Sequence, residues 1–369
     1  MRVDGAWRRA IELGDDGRSV VVLDQTRLPY EAAWLALADH GAVVRAIRDM
    51  QVRGAPLIGA AAACGVALAV AADPGDAALA RACAELVAAR PTAVNLAWAV
   101  AAVRAAVASL PPDERAARAW AAARAIGDDD VERNRALGGH GLAILRALAA
   151  RLGAGGAGRP LRVLTHCNAG WLATVDWGTA LAPIYLAHEA GLAVHVWVDE
   201  TRPRNQGLLT AWELAQHGVP HAVIADNAGG HLLQAGQVDV CLVGTDRTTR
   251  GGDVANKIGT YLKALAARDA GVPFYVAAPS PSIDWAAAGP ADIPIEERDG
   301  DEVRWVRGRD EGGRPARVEV VAATSAVANP AFDVTPRRLV TGLITERGVT
   351  AATPEGLAAI FPEHARPAP

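Results

Sequence analysis

Cys167 and Asp246 are the two residues best placed for chemistry. Cys167 directly follows the apolar run Leu161–His166, and Asp246 closes the short turn Gly244-Thr245-Asp246 that follows Val238–Val243. A thiol gives or takes a proton according to the charge around it, and a carboxyl group serves as a general acid where burial keeps it protonated. Spacing alone leaves plainer readings open. A buried cysteine is often a small apolar filler, and Asp246 in Gly244-Thr245-Asp246-Arg247 also suits an ion pair or a helix cap. His166 adjoins Cys167, but neighbours along a strand face opposite sides, which argues against a Cys–His nucleophilic pair.

Three cations stand near turns. Arg53 and Gly54 precede Ala55-Pro56, and a proline there belongs in the first turn of a helix, where unpaired N–H groups favour an anion such as phosphate. Arg90, before Pro91-Thr92, sits at a similar corner and offers a second guanidinium, although a solvated arginine is the default there. The run Gly251-Gly252-Asp253-Val254-Ala255-Asn256-Lys257-Ile258-Gly259-Thr260-Tyr261 reads as a helix opened by glycines and a capping acid, with Asn256 and Lys257 in its first turns.

Other chemistries lack their signatures. The histidines show no HExxH spacing, the four cysteines (Cys64, Cys83, Cys167, Cys241) form no CxxC, and neither GxGxxG nor GxxxxGK[ST] occurs. No metal and no cofactor are expected, and the cysteines read as free thiols of a reducing compartment.

The elements that must carry these residues fall into two patterns. From Glu31 to about Leu152 the chain is Ala-rich with apolar residues at helical spacing, after a β-branched run at Ser19–Asp24 that reads as a short strand or hairpin. Beyond the glycine-rich stretch 153–160, the runs Leu161–His166, Ala193–Val198, His221–Ala225, Val238–Val243 and Pro273–Ala278 look like strands buried on both faces, separated by helix-length segments. The expected class is therefore α/β: a mainly helical N-terminal domain with a small β-element (1–152), a linker (153–160), and a C-terminal domain with a parallel sheet (161–369). In such sheets ligands bind beyond the carboxyl ends of the strands, where Cys167 and Asp246 stand.

A net charge of −4 argues against a broad grip on nucleic acid and leaves a small molecule as the expected partner. The start of the chain has no apolar signal run, which suits a cytoplasmic protein. Gly54–Ala72 carries no charge and approaches membrane-spanning length, but it is mostly Ala and Gly and reads as a buried helix, so no membrane is expected. The segment Asp299–Arg317 is charged and Gly-rich and reads as an exposed excursion without an assigned role.

Together the segments VRGAPLIG, RPTAVNLAWA, THCNAG, VWVDETRPRNQG, LTAWEL, GTDR, GDVANKIGTYLKALAA, IPIEER, NPAFDVTP and LITERGV closely resemble the methylthioribose-1-phosphate isomerases. Their superfamily also holds ribose 1,5-bisphosphate isomerases and regulatory subunits of the eukaryotic initiation-factor guanine-exchange complex. The resemblance covers most of the chain. It implies Cys167 and Asp246 as the catalytic pair, sugar-phosphate contacts from Arg53, Gly54, Ala55, Arg90, Gln206, Asn256 and Lys257, a Rossmann-like C-terminal domain and a homodimer. Family members often read QGARLTA after the ETRP segment; Gln206-Gly207-Leu208-Leu209-Thr210-Ala211 is one residue shorter and lacks the arginine.

The implied reaction is isomerisation of 5-methylthioribose 1-phosphate in methionine salvage. Alternatives are isomerisation of 5-deoxyribose 1-phosphate or ribose 1,5-bisphosphate, or a noncatalytic regulatory subunit. An aldose with phosphate on its anomeric oxygen is locked as a ring, so a general acid must open it. Asp246 in a largely apolar, closed crevice would meet that need.

Overall fold

The computed structural model describes residues 1–3, 5–14, 19–90, 94–156 and 158–365. Pro91 and Thr92 of the corner after Arg90, and Ala157 of the glycine-rich stretch, lie outside the described residues.

The N-terminal part opens with strands β1 (Arg2–Val3), β2 (Ala6–Trp7), β3 (Ile11–Leu13), β4 (Val20–Leu23) and β5 (Trp34–Leu37), then runs through helices α1 (His40–Arg48), α2 (Ala55–Ala72), α3 (Asp76–Ala89), α4 (Val94–Val107) and α5 (Pro112–Leu152). The β-branched run at 19–24 is β4, the middle strand of the antiparallel sheet β3-β4-β5. The helical stretch begins later than the apolar spacing suggests, because Trp34–Leu37 pairs with β4.

α2 is apolar on every side, and a helix of that kind is stable only when surrounded. It packs against α1, α3, α4 and α5, with 72% of it buried by the rest of the protein. By length and composition it could cross a membrane; its membrane-like character is that of a core helix. α5 has 41 residues, a length of about 60 Å. It packs on α2 and α4 and also on later elements, and it ends at Gly153 in the left-handed conformation, whose N–H donates to the carbonyls of Ala149 and Ala150.

The rest of the chain contains β6 (Leu161–Thr165), α6 (Ala182–Glu189), β7 (Val194–Asp199), α7 (Gln206–Gln216), β8 (His221–Ile224), α8 (Ala228–Gln234), β9 (Val240–Val243), β10 (Arg247–Thr249), β11 (Val254–Lys257), α9 (Thr260–Asp269) and β12 (Phe274–Ala277). It closes with β13 (Ile283–Asp284), α10 (Asp301–Arg304), β14 (Trp305–Arg309), β15 (Pro315–Glu319), β16 (Phe332–Thr335), β17 (Gly342–Thr345), β18 (Gly348–Thr350) and α11 (Pro354–Ile360). The main sheet has the order β18-β17-β12-β9-β6-β7-β8, parallel except for β18. Strands β7 and β8 lie on one side of β6 and β9, β12 and β17 on the other. The order therefore reverses between β6 and β9, which opens a crevice beyond their carboxyl ends. All five expected strands are present, but β8 is an edge and is only partly covered.

One sequence expectation needs correction. Val254–Lys257 is a strand, not the start of a helix: it pairs antiparallel with β10 and with β16 in the sheet β13-β10-β11-β16, and the helix begins only at Thr260. The charged segment at 299–317 is an exposed excursion as expected, built from α10 followed by the antiparallel hairpin β14-β15. Arg309 of that hairpin stacks 4.8 Å from the Tyr30 ring and donates to the Tyr30 carbonyl, which ties the hairpin to the N-terminal part.

One apolar core runs from Val20 and Ile47 through Leu57, Val66, Leu96 and Leu145 into Leu161, Val196 and Ile344. A second gathers Phe274, Val276, Leu343 and Phe361 around β9, β12 and α9.

Candidate active site

Cys167 follows the end of β6 with φ +67°, a conformation an L-residue seldom holds and one that costs on the order of 1–3 kcal/mol. Two buried threonines hold it there. Thr201 Oγ1 accepts from the Cys167 N–H at 2.9 Å, and Thr210 Oγ1 donates to the Cys167 carbonyl at 2.8 Å. Burial pushes the thiol up from its ordinary value, opposed by the positive charge of Arg53 and Lys257. Across the switch point, Asp246 leads from β9 into β10, half-buried, with its N–H donating to Ala255 O at 3.0 Å.

Arg53 enters from the helical part. Its Nη2 donates to the Asn168 carbonyl at 2.8 Å and its Nη1 to the Asn168 Oδ1, so the guanidinium is pinned beside the residue after Cys167. Gly54 has φ +92° and caps α2, and a Cβ there would sit 2.4 Å from Ala173 Cα, so only glycine lets the helix start against that turn. Ala55 is the first residue of α2, with Pro56 in its first turn as expected. Arg90 ends α3, 3.7 Å from Glu296, and burial lowers its pKa.

Ala255 and Lys257 line the crevice together, as alternate residues of β11 do. The Lys257 ammonium donates to Ala331 O at 2.9 Å and lies 4.4 Å from the Phe332 ring centroid. Burial lowers its pKa, while Cys167 and Asp246 act the other way. Asn256 sits between them on the strand and therefore faces the opposite side, where its Nδ2 donates to Thr260 Oγ1 at 3.0 Å. Of the expected contact residues it is the one not brought to the crevice wall. Gln206, the first residue of α7, does line the crevice, and its Oε1 is buried with no hydrogen-bond partner among the described residues. An unpaired buried oxygen of this kind suits a ligand hydroxyl or a bound water.

The crevice is small, about 80 Å³, and its walls are mixed. Met50, Ile58, Ile293, Pro294 and Phe332 supply apolar surface that sequence reasoning did not assign, although all but Met50 fall in motifs quoted above. The largely apolar crevice expected around Asp246 is thus corrected to a mixed one, with Arg53, Arg90 and Lys257 among its walls. Met50, Arg53 and Gln206 also border a second cavity of about 670 Å³ that is roofed by the β14-β15 hairpin and floored by the loop at 25–31.

His166 takes no part in the crevice. Its Nδ1 lies 2.9 Å from Asp199 Oδ2 and its Nε2 2.8 Å from Ile258 O. The fold brings His166, Asp199 and Asp226 close enough to hold a metal ion, a grouping that spacing in the sequence does not show. The Lys263 ammonium is 3.2 Å from the same Asp199 oxygen and supplies the positive charge, while Asp226 accepts from the N–H groups of Thr201 and Arg202.

The initiation factor 2 subunit family model matches residues 51–352. This chain belongs to that family. Within it, the chain is 61% identical to the methylthioribose-1-phosphate isomerase of Rhodospirillum rubrum, over 100% of this chain and 95% of the relative. The crystal structure of 5-methylthioribose 1-phosphate isomerase from Pyrococcus horikoshii OT3 aligns with a TM-score of 0.83 and 38% identity, covering 97% of this chain and 96% of that one. The crystal structure described as translation initiation factor eIF-2B, subunit delta, from A. fulgidus aligns with a TM-score of 0.80 and 37% identity, over 96% of this chain and 100% of that one. Proteins similar to this chain thus carry both an enzymatic and a translational description, and the shared architecture is a mixed α/β fold with a parallel-containing sheet.

Proposed function

We propose that this chain converts 5-methylthio-α-D-ribose 1-phosphate into 5-methylthio-D-ribulose 1-phosphate, a step of methionine salvage, with Cys167 and Asp246 as the reacting pair. The observation that carries this reading is the convergence of that thiol, that carboxyl group and the cations Arg53, Arg90 and Lys257 on a single crevice at the switch point of the sheet. The names of relatives matching end to end agree with it. Arg53, Arg90 and Lys257 would hold the phosphate, with Gly54 and Ala55 at the start of α2. Gln206 would meet a sugar hydroxyl, and Asn256 would support the β11 turn from behind. Binding the nonreacting phosphate holds the reacting carbons in register.

The chemistry closes with these groups alone. Asp246 gives its proton to the ring oxygen as the bond from that oxygen to C1 breaks, hydrogen moves from C2 to C1, and the C2 hydroxyl proton returns to Asp246 as the ketone forms. In one route Cys167 carries the hydrogen as a proton through an enol; in the other it passes directly as hydride. Burial favours a neutral thiol, and a bound phosphate would offset the cations that oppose this, so the direct route suits the site better. The apolar side chains Met50, Ile293, Pro294 and Phe332 suit a methylthio or deoxy substituent more than the second phosphate of ribose 1,5-bisphosphate.

The likeness to the eIF-2B subunit structure supports a second reading, a regulatory subunit that binds a sugar phosphate without turning it over. Proton NMR in heavy water with 5-methylthioribose 1-phosphate separates the two. Ketose formation establishes the isomerase, and solvent deuterium in the product favours the proton route over the direct one. Correctly folded protein that forms no ketose moves the assignment to the regulatory reading. We further read the chain as a cytoplasmic homodimer of two-domain subunits, with a helical domain (1–152) and a Rossmann-like one (161–369).

A further inference from the structure

A carboxyl group that takes no part in the reaction lies directly behind Cys167 and Asn168. Glu213 of α7 is fully buried and is surrounded by donors. Its Oε1 accepts from Asn168 Nδ2, and its Oε2 accepts from the Trp171 N–H at 2.5 Å and the Tyr185 hydroxyl at 2.8 Å. The chain approaches closely to allow this: a Cβ on Gly170 would stand 2.3 Å from Glu213 Oε2.

The consequence passes through the Asn168 amide, which has one donating end and one accepting end. Its Nδ2 is committed to Glu213 and to Thr210 Oγ1 at 3.1 Å, so its Oδ1 is the end that meets Arg53 Nη1. Reversed, the amide would set its own N–H groups against the guanidinium N–H. Glu213 therefore decides which end of Asn168 Arg53 meets.

We propose that Glu213 is a positioning residue for the isomerisation, acting through Asn168 to hold the Arg53 guanidinium at the phosphate end of the crevice. The proposal rests on the reading that Arg53 meets the substrate's phosphate. Three donors call for an ionised acceptor, yet burial pushes the Glu213 carboxyl up to about 7 against the pull of Asn168, Tyr185, the Trp171 N–H and Arg53. The charged or titratable groups around it are Arg53, Tyr185 on α6, the Met1 ammonium, Asp176 beside Tyr185, and His217 at the end of its own helix. Protonated, Glu213 turns its O–H to the Tyr185 oxygen and loses its negative charge, so its hold on Asn168 Nδ2 falls from a charge-assisted bond to a weaker neutral one. The grip on phosphate thus weakens as pH falls through about 7.

The test uses the full chain with Glu213→Gln, measuring kcat and KM for 5-methylthioribose 1-phosphate across pH, and the affinity for inorganic phosphate by calorimetry. The ratio of variant to wild-type KM removes the titration of the substrate's own phosphate. Glu213→Gln should raise KM about tenfold at pH 8 with kcat within about threefold of wild type, the size expected for one disturbed charge-assisted contact. The inflection in KM near pH 7 should disappear, and the effect should vanish on an Arg53→Ala background, where no guanidinium remains to position. Tyr185→Phe removes one donor from the carboxylate and should move the inflection to higher pH; this variant carries the test if Glu213→Gln does not fold. Unchanged KM and pH dependence in Glu213→Gln, full additivity with Arg53→Ala, or an unmoved inflection in Tyr185→Phe overturns the proposal. Wild-type protein that gives no ketose rejects the reaction instead, and the phosphate affinities of the same variants still decide the relay.

Discussion

Two polar clusters flank the end of β6, one built around His166 and the other around Cys167, and they differ in how their charges close. His166, Asp199 and Lys263 meet at one oxygen: Asp199 Oδ2 lies 2.9 Å from the imidazole and 3.2 Å from the ammonium, all of them buried, while Asp199 Oδ1 has no hydrogen-bond partner among the described residues. On the other side, Arg53 and Lys257 are held by neutral oxygens, the Asn168 amide and carbonyl and the Ala331 carbonyl, and among the described residues neither has an ion-pair partner. A cluster matched internally holds backbone in place. A cluster whose cations rest on neutral acceptors keeps its charge available for an anion from outside.

The strongest challenge to this comparison is to remove each cluster's centre in turn. Asp246→Asn should lower turnover by about a thousandfold, as loss of a proton-handling group does, and Cys167→Ser should lower it as far only on the proton route; both should leave the thermal midpoint within a few degrees. Asp199→Ala should do the reverse. It leaves Lys263 buried without its counter-charge and His166 Nδ1 without its partner, a loss of about 3–5 kcal/mol in denaturant unfolding, with a far smaller loss of turnover per folded molecule. If Asp199→Ala silenced the enzyme without destabilising it, the division between the clusters would be wrong.

Arg53→Ala sharpens the other half of the comparison. It should raise KM by about 10- to 100-fold, the worth of a charge-assisted contact, as read by steady-state kinetics. The thiol offers a further test through alkylation of Cys167. Because burial raises its pKa and Lys257 opposes that, the thiolate forms only above the ordinary thiol range, and Lys257→Met should shift the pH dependence of alkylation to still higher pH. The smallest effect belongs to Arg309→Ala at the rim, where an exposed stacking contact and an exposed hydrogen bond to the Tyr30 carbonyl are lost, together worth about 1 kcal/mol, and KM should move less than about threefold.

Much of the site's local framework is legible in the order of residues alone. Short apolar runs ending in polar turns place Cys167 and Asp246 at strand ends, and Arg53-Gly54-Ala55-Pro56 marks the start of α2. These signals are local, because apolar runs and helix caps depend on residues close together in the chain. The misreading at Asn256 and Lys257 has the opposite cause. Glycines followed by an acid resemble a helix start, but β11 is made a strand by pairing with Phe332–Thr335 far along the chain, and that pairing turns Asn256 away from the crevice while aiming Lys257 into it. The β14-β15 hairpin escapes a sequence reading for a similar reason: its short charged strands carry little apolar alternation, and its place over the larger cavity depends on contacts with Tyr30.

By itself the sequence determined the kinds of element, the reactive residues at their ends, and the family resemblance carried by its motifs. Only the tertiary structure decided that β6 and β9 are neighbours across the reversal in strand order, that Lys257 rather than Asn256 faces the crevice, and that Glu213 stands behind Asn168. The physical reason is range. Periodicity and capping are written in adjacent residues, whereas the order of strands, the face of a paired strand and the partners of a buried carboxyl group are settled only when distant segments pack and every buried donor must find its acceptor.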